Sequence, residues 1–419
     1  MSPRRGSVAA WSVVGGVALI MAVGAGVGFY GSTIYVAALT DAPRSFSVVT
    51  VSIATGGFML VSGLGGILVA RTMERFGPRS VLVGGTLVMG GAVAALGRVD
   101  DEASLLVVYA LMGIGFAAMS VVPTGRLVAA WFTDARRNVA MSVAFMGLPI
   151  GGVIGTPVIA HLVETRGFAE ATVWLAVVLV GVAVPTGLLL REPRDHGATP
   201  SPTTGAGAPV PPDEVGEAAQ HAEVSVPAAV ALRTPWFAMV TLGLALGMVS
   251  QIGVLTHLFS AVSDVRDAGL AAATVSTVTF ASLVGRIAGS WALGRIGLLR
   301  SAVGLLAGQA VALIGIASWR ESDALFVTAV LLGLTVGNMQ VIQPLLLVDR
   351  FGPAEFPRIL AVGNLFVTVG MAVGPLVVGL GVDLGSGYGF ALLVLAACSL
   401  VAGLLVTFAG LRDRPTPER

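Results

Sequence analysis

Six long apolar runs constrain this chain more than anything else in it: Trp11 to Leu39, Val48 to Ala70, Leu105 to Val122, Val173 to Leu190, Ala324 to Val348 and Ala391 to Ala409. Each reaches or approaches the roughly 20 residues that an α-helix needs to cross about 30 Å of hydrocarbon. A membrane barrel would instead show short segments alternating apolar and polar residues, so the spans are expected to be helices. Charge agrees with this. Only 11% of the residues are charged and the mean hydropathy is +0.91, against about 25% charged residues in soluble domains. The 56 glycines fit the same reading, because membrane helices tolerate glycine and use it for close packing.

Polar breaks divide the sequence into twelve spans near 11–39, 48–70, 80–97, 104–128, 138–162, 171–190, 236–262, 270–293, 299–317, 324–348, 358–380 and 387–410. The expected fold class is therefore an all-α integral membrane protein. The segment Arg191 to Thr234 is rich in Pro, Ala, Gly and acids, and its composition is that of a mobile linker. It separates an N-terminal six-helix bundle over residues 1–190 from a C-terminal one over 235–419. The first run follows Met-Ser-Pro-Arg-Arg and is longer than the apolar region of a signal peptide, so it is expected to be a retained helix.

Orientation rests on arginine, since the chain contains no lysine. With the N-terminus in the cytoplasm, seventeen of the 24 arginines fall in cytoplasmic segments or at their edges, and only Arg44, Arg98, Arg166, Arg266 and Arg320 fall on the far side. This positive-inside asymmetry puts both termini and the linker in the cytoplasm. An internal repeat is also visible. Glu74-Arg75-Phe76-Gly77 after span 2 matches Gly294-Arg295-Ile296-Gly297 after span 8, at an offset of 220. Trp131-Phe132 and Arg350-Phe351 end spans 4 and 10, and Gly151, Gly155 and Pro157 match Gly370, Gly374 and Pro375 at 218 or 219. Parallel repeats of this kind organise many secondary transporters.

Four histidines and the single Cys398 show no metal-ligand spacing and allow no disulfide within the chain. No nucleophile–histidine–acid constellation is present either, so no enzyme activity, cofactor or metal is expected, and nucleic acid is not an expected partner. The informative residue is Arg286. Nine residues of helix place it roughly 13 Å deeper than Arg295, close to mid-membrane, where an arginine costs about 2.5–3.5 kcal/mol even on the lenient insertion scale. All 23 acidic residues lie outside the spans as drawn. A substrate carboxylate bound by a bidentate, charge-assisted contact would suit the guanidinium; helix carbonyls and water are the alternative.

The stretch from Gly66 to Arg79 resembles the cytoplasmic signature of the major facilitator superfamily, with Glu74 in the place usually held by aspartate and Gly294 there in the second copy. The resemblance covers essentially the whole chain. It implies two pseudo-symmetric six-helix bundles, a substrate site between them and alternating access. It also implies a conformational role for Gly66, Glu74, Arg75, Gly77, Arg79, Arg295 and Gly297, for which a pure topology signal is the other reading. Within the superfamily, Trp131 to Met141 and Leu283 to Gly289 resemble the monocarboxylate-porter and oxalate/formate-antiporter branch. The chain departs from that branch in carrying Ser282 where animal-type members have an acid, no lysine in span 1 and no basic residue at depth in span 11.

The expected function is secondary active transport of a small organic anion, a monocarboxylate since only one cation is offered, by proton symport or anion exchange. Arg286, Tyr30, Asn338, Gln340, Asn364 and Gln251 are the expected substrate contacts, and His257 is the candidate proton site. The amides, Gln343 among them, serve equally well as helix–helix hydrogen bonds, and Tyr30 and Tyr35 are open between a cavity and the interfacial aromatic belt. Arg126, near the inner face, is explained by snorkelling. A proton-driven exporter of amphipathic compounds is the runner-up, and a non-transporting sensor or assembly partner is the alternative from another class. The expected partners are the lipid bilayer, the anion and protons, in a bacterial inner membrane.

Overall fold

The computed structural model describes residues 3–41, 44–132, 136–190 and 226–412; most of the expected linker, 191–225, lies outside them. Among the described residues there is no strand, and twelve helices are long and apolar enough to cross a membrane. They are Ala9–Thr40, Val48–Gly66, Leu68–Leu96, Glu102–Ala129, Val139–Arg166, Phe168–Leu189, Pro235–Ser263, Ala268–Gly289, Leu298–Trp319, Leu325–Phe351, Phe356–Gly385 and Gly387–Arg412, spans 1 to 12 below. Large apolar side chains such as Leu189 and Val327 are 78% and 70% exposed. Such a surface is a hazard in water and the required one against acyl chains. Buried hydroxyls find partners on their own helices: those of Ser52, Thr55 and Thr86 lie within hydrogen-bond distance of the carbonyls of Val48, Val51 and Leu82.

Spans 2 and 3 belong to one helical stretch, Val48–Leu96, whose backbone leaves helical geometry at Gly77, in the first part of span 3. Gly77 has φ 78° and ψ 158°, and Gly297, 220 residues later, has φ 88° and ψ 146°. A side chain is disfavoured in that region, which is why the signature keeps a glycine there in both copies. The expected polar loop is thus a single-residue hinge. Helix starts are capped as their sequences suggest: Ser47 accepts from the Thr50 N–H, Asp101 from Ser104 and Asp267 from Leu270. Arg44 closes the far end of span 3 by donating to the carbonyls of Leu96, Gly97 and Val99 while its guanidinium lies over Phe168.

The described residues fall into two compact units. The first holds residues up to 190 together with Leu255–Phe280; the second holds the rest, through Val254 and from Ala281 onward. The end of span 7 and the start of span 8 therefore pack with spans 1 to 6, a grouping that differs from the division along the sequence. In the first unit, span 5 crosses span 1 on glycines: a Cβ at Gly147 would strike the Ala18 carbonyl, and one at Gly151 the Ala22 carbonyl and the Gly26 nitrogen. In the second, Gly370 meets the Ala245 carbonyl, and Gly374 meets the Val249 carbonyl and the Gly253 nitrogen. The repeat is real at the level of packing, but it pairs Gly147 with Gly370 and Gly151 with Gly374. The sequence pairing of Gly151 with Gly370 is one helical turn out, because glycines four apart offer two registers that look alike.

Two further features were not expected. Span 1 contains a π-helical turn at Ala25–Tyr30, and the Tyr35 hydroxyl donates to the Val27 carbonyl inside it at 2.8 Å. Tyr35 is fully buried, so its role is structural rather than cavity-lining or interfacial. The last residues of the expected linker are also built into the second unit. Val226 N–H donates to the Phe351 carbonyl, and Ala228, opening the short helix Ala228–Ala231, donates to Glu355 at 2.7 Å. Mobility expected for 226–234 from composition gives way to a strap held at the end of span 10.

Candidate functional site

Span 8 reads Ser282-Leu-Val-Gly-Arg-Ile-Ala-Gly289, and span 10 crosses it at Gly337-Asn338. The crossing is close enough that glycine is required on both sides. A Cβ at Gly285 would lie 2.7 Å from the Leu334 carbonyl oxygen. One at Gly337 would run into the Ser282 carbonyl and sit 3.0 Å from the Arg286 nitrogen and 3.1 Å from its Cγ. One at Gly289 would overlap the Asn338 side chain. Asn338 fastens the crossing: its Nδ2 donates to the Gly285 carbonyl at 2.7 Å and to its own helix at Leu334, 3.2 Å. The stem of Arg286 thus rests on the bare backbone of span 10, half-buried.

Of the expected substrate contacts, the structure brings Arg286 and Asn338 together. Asn338 is 6% exposed and its amide bridges two helices. Gln340 is exposed, and Asn364 is partly buried on span 11. Gln251 is 1% exposed on span 7, and its Oε1 has no hydrogen-bond partner among the described residues. Gln343 is buried, its amide nitrogen likewise without a partner among the described residues, and it packs against Gly363 of span 11. Tyr30 lies in the π-helical turn of the first unit, its ring edge-on to Phe29 and against Gly152.

His257 is buried in the first unit, its Nε2 3.1 Å from the Ser52 hydroxyl oxygen of span 2. Two more contacts hold the same stretch. Phe259 N–H donates to the Thr33 hydroxyl at 3.2 Å, and the Ser276 hydroxyl donates to the Val153 carbonyl at 3.3 Å. Sequence reading missed Ser52, Thr33 and Ser276, since a small hydroxyl inside an apolar helix gives no sign of whether it bonds its own turn or a neighbour. In the signature region Glu74 and Arg75 are exposed, Arg75 stacks on Phe76, and Arg79 donates to the Leu188 carbonyl at the end of span 6. Gly66 faces open space and Arg295 is exposed.

Comparison with known proteins follows this geometry. A probable sulfoacetate transporter of Cupriavidus necator is 27% identical over 122 residues, 29% of this chain and 28% of that one. An MFS-type transporter of Gibberella moniliformis is 27% identical over 199 residues, 46% of this chain and 45% of that protein. The chain thus spans less than half the length of the curated relatives it matches. A bacterial homolog of the human lysosomal transporter Spinster, solved in an inward-facing and occupied conformation, superposes with a TM-score of 0.71 at 16% identity, covering 100% of both chains. The model of the Major Facilitator Superfamily matches residues 18–322 and 267–419, and with the twelve spans and their repeated hinges this makes the chain a member of that superfamily.

Proposed function

We propose that this protein is a secondary active transporter of a small organic anion, a monocarboxylate, working by alternating access with proton symport or anion exchange. The observation that carries the reading is Arg286. A guanidinium that stays charged at any physiological pH sits roughly 13 Å of helix from Arg295, on a crossing built tightly enough to fix its stem. Membrane-embedded charges of this cost are retained for substrates, ions or protons. A carboxylate matches the planar fork of the side chain in shape and charge. One cation favours a monoanion over a dianion. The sulfoacetate name carried by a partial relative is in keeping with an organic anion. Buried amides at Gln251 and Gln343 with unsatisfied polar atoms are suited to the rest of a small polar ligand.

His257 is the proposed proton site and the arginine-rich side the proposed cytoplasmic face of an inner membrane, with both termini on it. The test is uptake of labelled small carboxylates into proteoliposomes. Arg286→Ala is expected to abolish it, and Arg286→Lys is expected to restore little, because an ammonium lacks the two parallel donors. Wild-type rates in a correctly inserted Arg286→Ala protein would reject the site.

A further inference from the structure

We propose that Gly337 and Asn338 of span 10 are positioning residues for Arg286, setting where its guanidinium can reach; the proposal deepens the anion-site reading and rests on it for its transport consequences. Arg286 emerges from span 8 within the close crossing with span 10 that Gly285, Gly289 and Gly337 form. Its backbone nitrogen and Cγ are within 3.0 and 3.1 Å of where a side chain at Gly337 would begin. The atom that such a Cβ would strike first is the Ser282 carbonyl, which is backbone and cannot swing aside as a flexible side chain would. Any substituent at Gly337 therefore moves the whole turn of span 8 that carries Arg286.

Asn338 acts on the same turn of span 8. Its donation to the Gly285 carbonyl grips the residue immediately before Arg286, and its side chain fills the space that the absent Cβ of Gly289 leaves. Glycines at 285, 289 and 337 bring the two backbones together, and the amide fixes their register. Side-chain hydrogen bonds between membrane helices are modest, so sheer stability is a thin reason for so specific a clamp. Holding a charged side chain to within a fraction of an ångström is a better one.

The experiment has two arms. In the first, the arginines of the substrate-free protein are labelled with phenylglyoxal and followed site by site by mass spectrometry, with exposed Arg295 and Arg350 as internal references. In the second, uptake of labelled lactate is measured as KM and maximal rate in proteoliposomes. Gly337→Ala is expected to raise KM about tenfold and to change the relative labelling of Arg286 by about threefold, as a displacement near 1 Å would. Gly304→Ala, at a span 9 position with nothing within 4 Å, is expected to change neither. Asn338→Leu, which keeps the branched outline and loses the donor, is expected to act like Gly337→Ala and serves if that variant does not insert. Unchanged Arg286 labelling in the inserted variants overturns the positioning role, whatever the transport arm gives. Absence of lactate uptake by the wild-type protein, with labelling shifted in the variants, would instead count against lactate and leave the positioning standing.

Discussion

The Ser52 hydroxyl lies 2.6 Å from the Val48 carbonyl and 3.1 Å from His257 Nε2, and its single proton can serve only one of the two. With that proton on the Val48 side, a neutral His257 ring would donate from Nε2; with it on the His257 side, the ring would accept there. Other charged groups of the helices near it, Glu164, Arg166, Asp264 and Arg266, lie in terminal turns or just beyond them. His257→Gln keeps a donor amide and removes the titratable ring. Its uptake is expected to lose acceleration by an inward proton gradient while anion exchange persists; a variant that still responds to the gradient would take the imidazole out of coupling. At this scale the sequence singles out Arg286 by its charge against apolar surroundings, and the structure puts its half-buried stem on the crossing of spans 8 and 10. The sequence was not legible at Asn338 or Tyr35. An amide or phenol in an apolar helix reads the same whether it faces a ligand or a neighbouring carbonyl, and only the neighbour's position decides.

The span 5–span 1 and span 11–span 7 crossings are bare backbone on backbone, so their glycines have little room for substitution. A Cβ at Gly374 would lie 2.5 Å from the Val249 oxygen, and the one at Gly151 closer still to that of Ala22. Overpacking of this kind costs about 1–3 kcal/mol, which should outweigh the helix-propensity gain of about 1 kcal/mol that alanine brings. Gly151→Ala and Gly374→Ala are therefore expected to lower the thermal midpoint of the purified protein. Gly84→Ala and Gly304→Ala, which face open space, are expected to leave it unchanged or raise it. Equal midpoints across all four would mean the crossings are loose. Element boundaries followed from hydropathy because the bilayer sets helix length from outside, and span 12, read at 387–410, runs Gly387–Arg412. The glycine register and the π-helical turn did not follow. Both depend on which face of one helix meets another, and hydropathy carries no information on that.

For the whole molecule, composition separated the spans from a polar middle, yet it could not tell that Val226 to Thr234 would be gathered onto Phe351 and Glu355. A few backbone hydrogen bonds decide that, and short alanine-rich sequence hides them. The molecule's energetics can be argued from charge alone. A lone monoanion entering a cell that is negative inside is opposed by about 2.3 kcal/mol per 100 mV. Accumulation therefore needs a co-transported cation or an exchanged anion. Among the described residues the acids lie in loops and terminal turns of helices, apart from Glu74, which is exposed beside Gly77; the proton carriers proposed for this molecule are the imidazole of His257 and the carboxylate of the substrate itself. Under symport, one proton and one monoanion cross together without net charge. Uptake should then rise with an inward proton gradient and be nearly indifferent to an imposed potential. Under exchange, uptake should require anion preloaded in the vesicle and should likewise ignore the potential when like charges swap. Robust uptake into empty vesicles that follows the potential and ignores the proton gradient would exclude both, because a guanidinium that merely carries an anion across offers no means of balancing its charge.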